Sequence, residues 1–511
     1  MKTDELIFYQ IYPKSFCDSN GDGIGDLNGI RSKIDYLKKL GVNAVWLTPC
    51  YKTPNVDNGY DISDYRDIED SVGNLSQMDT LIEAFHAEGI KIILDLVANH
   101  TSTQHKWFQE SRKSKDNPYR NYYIWRKTPP NAWQSIFGGT AWQYDEVTEE
   151  YYLHSFAVEQ ADLNWDNPKV RQEMRAVVEF WLARGVDGFR CDVLDMISKD
   201  WERGENGNGP HLHEYIRELF AGYTDKIFTV GECWSADKEN AKLFCGRERR
   251  ELTCVFAFQH LCLENGRFCT EKPTLREVCR RLSAWQIASQ EANISATLFL
   301  ENHDQPRSVS RLGDDKQYRY ESATMLGGLV LFHRGIPFLM QGQEIGMTNS
   351  KQEKMEDFND VESLNFYYAN CGKESEESLI ERINFGGRDN PRCFIPWTAE
   401  PQKSWLAPYT RQKEINVAAD LASNRSVFAF YQKMIGLRKS EPCLMRGVYK
   451  LKTLNDNYYS FERSYQGETV TVVCNFEKVT PFEIGRGKLL LNNYIEVKTN
   501  LQPYQILVYK N

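Results

Sequence analysis

The chain lacks most of the signatures that would place it quickly. None of its 13 cysteines forms a CxxC pair, no HExxH accompanies its nine histidines, and neither a GxSxG elbow nor a lysine-completed phosphate loop occurs. These gaps argue against a zinc site, a serine hydrolase of the elbow type and a nucleotide-phosphate cradle. No apolar run approaches the roughly 20 residues a membrane-spanning helix needs. A basic excess is missing too: 62 Lys and Arg face 71 Asp and Glu, a net charge of −9, which disfavours a nucleic-acid partner. The N-terminal MKTDELIFYQIYPKSF has no basic region leading into a long apolar stretch, and the odd cysteine total reads as free thiols. A cytoplasmic protein without a membrane partner is therefore expected.

What the sequence has is length, 511 residues with 41% hydrophobic and 13% aromatic content, enough for a large core. Short apolar runs at Leu6–Ile11, Ala44–Leu47, Ile92–Val97, Gly188–Asp192, Phe228–Glu232, Cys254–Phe258, Ala296–Phe299 and Pro337–Met340 alternate with amphipathic stretches such as Gly29–Leu40, Met78–Glu88 and Lys169–Arg184. Eight runs with intervening helices predict an α/β fold, a (β/α)8 TIM barrel. The alternation breaks after His100 for about 65 residues rich in Trp, Tyr, Asn and Pro, which predicts an inserted subdomain after strand 3. A second irregular stretch, Asn349–Gln402, is expected to contribute to the active-site rim. Beyond a helix around Ser426–Arg438 the period falls to two, predicting a C-terminal antiparallel β-sandwich domain. The expected division is barrel at 1–100 and 169–440, insert at 101–168 and β-sandwich at 441–511.

Three carboxylates fall where barrel enzymes keep their chemistry. Asp192 ends the fourth predicted strand in GFRCDV, Glu232 ends the fifth in GECW, and Asp304 follows the seventh in ENHDQ. His100, Arg190 and His303 accompany them. A structural ion network is the competing explanation. If the group is catalytic, Arg190, two residues before Asp192, is expected to keep that carboxylate ionised for attack. Glu232 would supply and recover a proton, the division of labour of glycosidic-bond cleavage. Aromatic rings suited to a sugar's C–H faces are sought at Tyr60, Trp142, Phe156, Trp234 and Trp285; Trp285, in a helical pattern, is expected in the core.

The first βα loop, DSNGDGIGD, offers Asp18, Asn20, Asp22, Ile24 and Asp26 as the ligand set of a structural Ca²⁺ or Mg²⁺ ion remote from the chemistry. The loop lacks the twelfth-position glutamate of a calcium-binding EF-hand, and an Asx-turn without metal is the alternative. No organic cofactor is expected.

Taken in order, DLVANH at Asp95–His100, QADLNW at Gln160–Trp165, GFRCDV, GECW and ENHDQ resemble the conserved regions of glycoside hydrolase family 13, the alpha-amylase superfamily. Within it the chain is most similar to the oligo-1,6-glucosidase, dextran glucosidase and alpha-glucosidase group, from Phe8 to the C-terminus. The resemblance implies a retaining mechanism with Asp192 as nucleophile, Glu232 as acid/base and Asp304 holding substrate hydroxyls. It implies sugar contacts at Asp57, Tyr60, His100, Phe156, Arg190, His303 and Arg392, with an Asp57–Arg392 pair closing the pocket and making attack exo. Val193 after the nucleophile looks like the valine of α-1,6-preferring members. Trp234 stands with Cys233 where the group often has Met-Pro, and is expected at the +1 subsite. Asp389–Trp397 also departs from the group's pattern, at Pro391 and Cys393 beside Arg392. The implied activity is release of non-reducing-end glucose from short α-glucosides, preferentially α-1,6 linked. An α-1,4-preferring or sucrose-active glucosidase, a sucrose isomerase, a trehalose-6-phosphate hydrolase and an inactive carbohydrate-binding scaffold are the alternatives. The expected partner is a small oligosaccharide; a monomer is expected, with a dimer as the alternative.

Overall fold

The computed structural model describes residues 3–483 and 487–511. Eight strands, β1 (Phe8–Ile11), β2 (Ala44–Leu47), β3 (Lys91–Val97), β4 (Gly188–Asp192), β5 (Phe228–Glu232), β6 (Cys254–Phe256), β7 (Thr297–Leu298) and β8 (Ile336–Met340), share one sheet. Their order is β6-β5-β4-β3-β2-β1-β8-β7, and every adjacent pair is parallel. Pairing of β1 with β8 wraps the sheet into a barrel, and the Thr297 hydroxyl donates to the Val255 carbonyl at 2.9 Å where β6 faces β7. The strands are buried along nearly their whole length, which is why they read as unbroken apolar runs rather than as alternation. Inside, Phe8 stacks on Phe338 at 4.7 Å and Trp46, Ile93, Phe228 and Phe256 complete a central cluster. Gly188 opens β4 because a Cβ there would lie 1.8 Å from the Phe228 carbonyl oxygen.

The outer helices follow the expected amphipathic stretches, with one exception. Gly29–Leu40 is not one helix but α1 (Leu27–Ser32) and α2 (Ile34–Leu40), separated at Lys33, whose φ of −110° and ψ of 10° leave the helical range. Asn74 caps α3 (Leu75–Ala87) and Asn167 caps α4 (Pro168–Ala183), each side chain accepting a first-turn N–H. Thr274 caps α5 (Leu275–Glu291) with Glu277 at the third helical position, a capping-box sequence. α6 (Arg319–Phe332) is buried nearly all round. Its Gly328 admits Ile506 of the C-terminal sheet, which a Cβ would meet at 2.0 Å, and its Gly327 admits Tyr431 of α7 (Val427–Ser440).

Between His100 and α4, strand His100–Ser102 pairs antiparallel with Gln160–Asp162, and Trp125–Arg126, Glu150–Leu153 and Trp142–Asp145 form a three-stranded antiparallel sheet. The buried Lys199 ammonium ties this region to the barrel, donating to Asp162 at 2.7 Å and Asn99 at 3.0 Å. At the C-terminus β9 (Val448–Leu454), β10 (Tyr458–Tyr465), β11 (Glu468–Asn475), β12 (Lys488–Asn492) and β13 (Ile506–Lys510) form an antiparallel sheet in the order β9-β10-β11-β13-β12. Thr480–Pro481 and Asn500–Leu501 pair beside it. β12 stops at Asn492, short of the expected Ile495, which is exposed. Among the described residues no helix is long and apolar enough to cross a membrane.

Candidate active site

Period-two geometry and strand ends bring the carboxylates together. Asp192 is the last residue of β4, Glu232 the last of β5, and Asp304 lies in the loop after β7; all three line one pocket at the C-terminal face of the barrel. Asp57, Tyr60, His100, Phe156, Val193 and Trp234 line the same pocket. Arg190, His303 and Arg392 sit behind it as fully buried side chains that hold the lining residues.

Arg190 organises the floor. Its Nη1 donates to Asp192 Oδ1 and to Asp95 Oδ1, both at 2.7 Å, and its Nη2 donates to Glu232 Oε2. One cation thus serves three carboxylates. Burial pushes the Asp192 carboxyl well above the usual carboxylate range, and although Arg190 opposes this, Glu232, Asp95 and Asp304 add to it. Arg190 thus favours the ionised form of Asp192, as expected, but its charge is divided among three carboxylates.

Asp304 has the opposite environment. Although burial alone would raise it, His303, Arg392 and Arg388 hold its carboxyl well below the usual range. His303 Nε2 is 3.0 Å from Asp304 Oδ2 and Arg392 Nη2 donates to Asp304 Oδ1 at 2.8 Å. The His303 ring is fixed by Gln10 at 2.8 Å, by the Tyr60 hydroxyl at 2.6 Å and by stacking on Tyr60 at 5.2 Å. His100 packs against Phe156 at 5.1 Å, and its Nε2 lies 3.2 Å from the Gln160 amide nitrogen. Burial pushes its pKa below the ordinary histidine value.

The ion pair expected to close the pocket is built differently. Asp57 meets Arg388, not Arg392: Arg388 Nη2 donates to Asp57 Oδ1 at 3.0 Å. Arg388 also contacts Asp360 at 2.7 Å and Asp304 at 3.4 Å, while Arg392 reaches only Asp304 and the His303 carbonyl among these groups at hydrogen-bond distance. Arg388 precedes the short helix Asp389–Arg392 as its N-cap and Arg392 ends it, four residues apart, so both face the site. Arg388, with Glu362 and Asp360, comes from the segment after β8, which contains helices at Val361–Asn370 and Glu376–Gly386 rather than irregular chain.

Glu232 is held at both oxygens. Besides Arg190, Oε2 accepts the main-chain N–H of Val193 at 3.2 Å, and Oε1 accepts the indole N–H of Trp234 at 3.0 Å. Trp142 does not reach the pocket; it is buried with Ile124, Ala141 and Leu153 in the inserted region, its indole N–H on Asn131. Trp285 is in the core, as its helical spacing suggests. Residues not singled out in the sequence include Asp95, Gln160, Arg388, Glu362 and Phe137. Asp95 and Gln160 open two of the recognisable motifs, DLVANH and QADLNW, and that was the available signal.

In the first βα loop Asp18 accepts the amides of Asn20, Gly21 and Gly23 at 2.7–2.9 Å, and Asn20 and Asp22 each accept an amide two residues on. These amides, outweighing partial burial, draw the Asp18 carboxyl below its usual value. Asp26 binds the Ser19 hydroxyl and caps α1. Three carboxylates, one amide oxygen and the Ile24 carbonyl are hard-oxygen donors of the kind Ca²⁺ takes, but here the side chains are engaged by main-chain amides, and among the described residues the acidic and thiol groups that gather within 4.8 Å of one another are Glu441, Cys443 and Glu468 rather than Asp18, Asp22 and Asp26.

Residues 10–447 match the family model described as alpha amylase, catalytic domain. An oligo-1,6-glucosidase of Parageobacillus thermoglucosidasius is 44% identical, with 99% of this chain and 98% of that protein covered. An oligo-1,6-glucosidase of Halalkalibacterium halodurans is 43% identical over the same shares. A crystal structure of Bacillus licheniformis trehalose-6-phosphate hydrolase superposes with a TM-score of 0.92 at 37% identity, covering 99% of each chain.

Proposed function

The chain belongs to the alpha-amylase family, and on that premise we propose that it is a retaining, exo-acting alpha-glucosidase that removes glucose from the non-reducing ends of short α-glucosides, α-1,6-linked ones in preference. The observation that carries this reading is a pocket with Asp192, Glu232 and Asp304 on its wall and the Asp57–Arg388 ion pair across its end. A closed end accommodates a chain terminus and excludes a chain that continues.

In the first step an oxygen of ionised Asp192 bonds to the anomeric carbon as the glycosidic bond breaks, and Glu232 gives its proton to the departing oxygen. In the second, Glu232 takes a proton from water, the water oxygen attacks the anomeric carbon, and Asp192 is released. Asp304, held ionised by His303, Arg392 and Arg388, accepts hydrogen bonds from sugar hydroxyls throughout and stabilises the positive charge that develops on the ring. Tyr60 and Phe156 offer ring surface to the sugar, and Val193 shapes the side of the pocket that receives the leaving group. Asp18, Asn20, Asp22, Ile24 and Asp26 would hold a structural Ca²⁺ far from these steps. We further read the enzyme as a monomer and as cytoplasmic, the compartment being supported by 13 unpaired cysteines, nine of them buried.

The test is turnover of isomaltose, maltose, sucrose, trehalose and trehalose-6-phosphate at equal concentration, with glucose and glucose-6-phosphate measured separately and Glu232→Gln as control. Isomaltose giving the largest Glu232-dependent glucose release is expected. Selective release of glucose-6-phosphate would move the enzyme to the phosphodisaccharide hydrolases. No Glu232-dependent turnover would overturn the reading.

A further inference from the structure

We propose that Trp234 is a positioning residue for Glu232: its indole N–H fixes Oε1 as the oxygen that carries the proton and aims that proton into the pocket. This rests on the alpha-glucosidase reading and deepens it.

The two oxygens of Glu232 have unequal surroundings. Oε2 faces the Arg190 guanidinium and the Val193 N–H, two donors, one of them charged. A protonated oxygen turned toward two donors would give up hydrogen bonding on that side, so the acid form keeps its hydrogen on Oε1. The protein donor on Oε1 is the indole nitrogen of Trp234 at 3.0 Å. A carboxyl oxygen has two in-plane acceptor directions. With the indole occupying one, the hydrogen is left with the other, and the carboxyl plane is fixed by contacts at both ends.

Trp234 is not held there by a need for burial. The residue is 41% exposed, at the pocket mouth, and its ring meets Phe156 edge-on at 6.2 Å. A large indole half in solvent, with its one polar atom on the acid/base carboxylate, is placed to act on that carboxylate. The proton balance is that of the first step: as the glycosidic C–O bond breaks, the Oε1 hydrogen passes to the departing sugar oxygen and Glu232 becomes a carboxylate, which the same indole N–H then stabilises.

Trp234→Phe deletes the N–H and keeps an aromatic ring, and two aryl α-glucosides that fill the +1 subsite alike but differ in leaving-group acidity, phenyl and 4-nitrophenyl, separate proton delivery from +1 binding. 4-Nitrophenolate is the anion of a much stronger acid than phenol and leaves with little protonation. The value of kcat/KM, which reports the first step, is expected to fall roughly tenfold for phenyl α-glucoside. For 4-nitrophenyl α-glucoside it should fall less than about twofold. Phe156→Leu, which disturbs the packing beside Trp234 but leaves its N–H, should lower both substrates alike. Equal losses on the two substrates in Trp234→Phe, or no loss on either, would overturn the positioning role while leaving the alpha-glucosidase reading intact. A wild-type enzyme inert toward both substrates would overturn both.

Discussion

Val193 donates its main-chain N–H to Glu232 Oε2 at 3.2 Å from a left-handed backbone, φ 34° and ψ 46°, that a β-branched residue rarely adopts. The residue that follows the nucleophile therefore touches the acid/base with its backbone and the pocket with its side chain. Strain of this kind, of order 1–3 kcal/mol, persists only where surrounding contacts impose it.

Shortening that side chain should change selectivity more than catalysis. Val193→Ala keeps the N–H and removes two methyl groups from the leaving-group side of the pocket. The ratio of kcat/KM for isomaltose to that for maltose is expected to fall by roughly tenfold, the worth of one to three kcal/mol of pocket contact. An unchanged ratio would remove Val193 from the determinants of linkage.

The closed end gives a sharper test, because Arg388 and Arg392 make different predictions. Asp57 and Arg388 touch, so a double-mutant cycle with Asp57→Asn and Arg388→Gln should show coupling of about 1–3 kcal/mol in transition-state stabilisation. The cycle of Asp57→Asn with Arg392→Gln should show much weaker coupling. Each single arginine variant should also lower activity by about a hundredfold or more, since a buried carboxylate loses a partner. Equal coupling in the two cycles would contradict the geometry seen here.

Metal in the first βα loop should matter to stability and not to rate. Ca²⁺ at a hundred times its dissociation constant adds about 2.7 kcal/mol to the folded state. Chelation is therefore expected to lower the melting temperature by several degrees, with kcat on isomaltose unchanged at 25 °C, and Asp22→Ala should abolish the Ca²⁺ response. A melting temperature indifferent to both chelator and Ca²⁺ would favour an Asx-turn loop that holds itself together.

Much of this was legible before the structure, and the failures have physical causes. Asp192 and Glu232 could be placed because strands buried on both faces leave a strong apolar signal with the functional residue at its end. Arg388 could not be told from Arg392, because the two are four residues apart on one short turn and either could have met Asp57. β9 went unseen because it is an edge strand in which Leu451 is exposed and the pairing register shifts between Leu451 and Thr453, so apolar and buried positions do not coincide. Trp142 looked like a sugar platform by composition alone. Its burial depends on Ile124 and Leu153, whose proximity only the inserted region's sheet creates. The break at Lys33 has no glycine or proline to announce it.

Acid sensitivity should be traceable to histidines far from the pocket. His333 is fully buried where α6 meets the C-terminal sheet, its Nδ1 2.6 Å from the Leu329 carbonyl, its Nε2 2.9 Å from the Tyr459 hydroxyl, and its ring stacked on Phe461. Burial pushes its pKa down to about 3, and likewise lowers His260 to about 4. In the unfolded chain each takes a proton near pH 6.5, as ordinary histidines do. Between that pH and the folded values the unfolded state binds more protons. The stability conferred by a neutral His333 is thus whole above about pH 6.5 and is lost at about 1.4 kcal/mol per pH unit as pH falls toward 3. Urea unfolding at pH 7.5, 6 and 5 should show this decline. His333→Gln should be less stable at pH 7.5, through loss of the ring's packing, yet decline less steeply with acid. An identical pH slope in the variant would mean that His333 takes up its proton equally readily in the folded and unfolded chain, and that its burial does not hold it neutral.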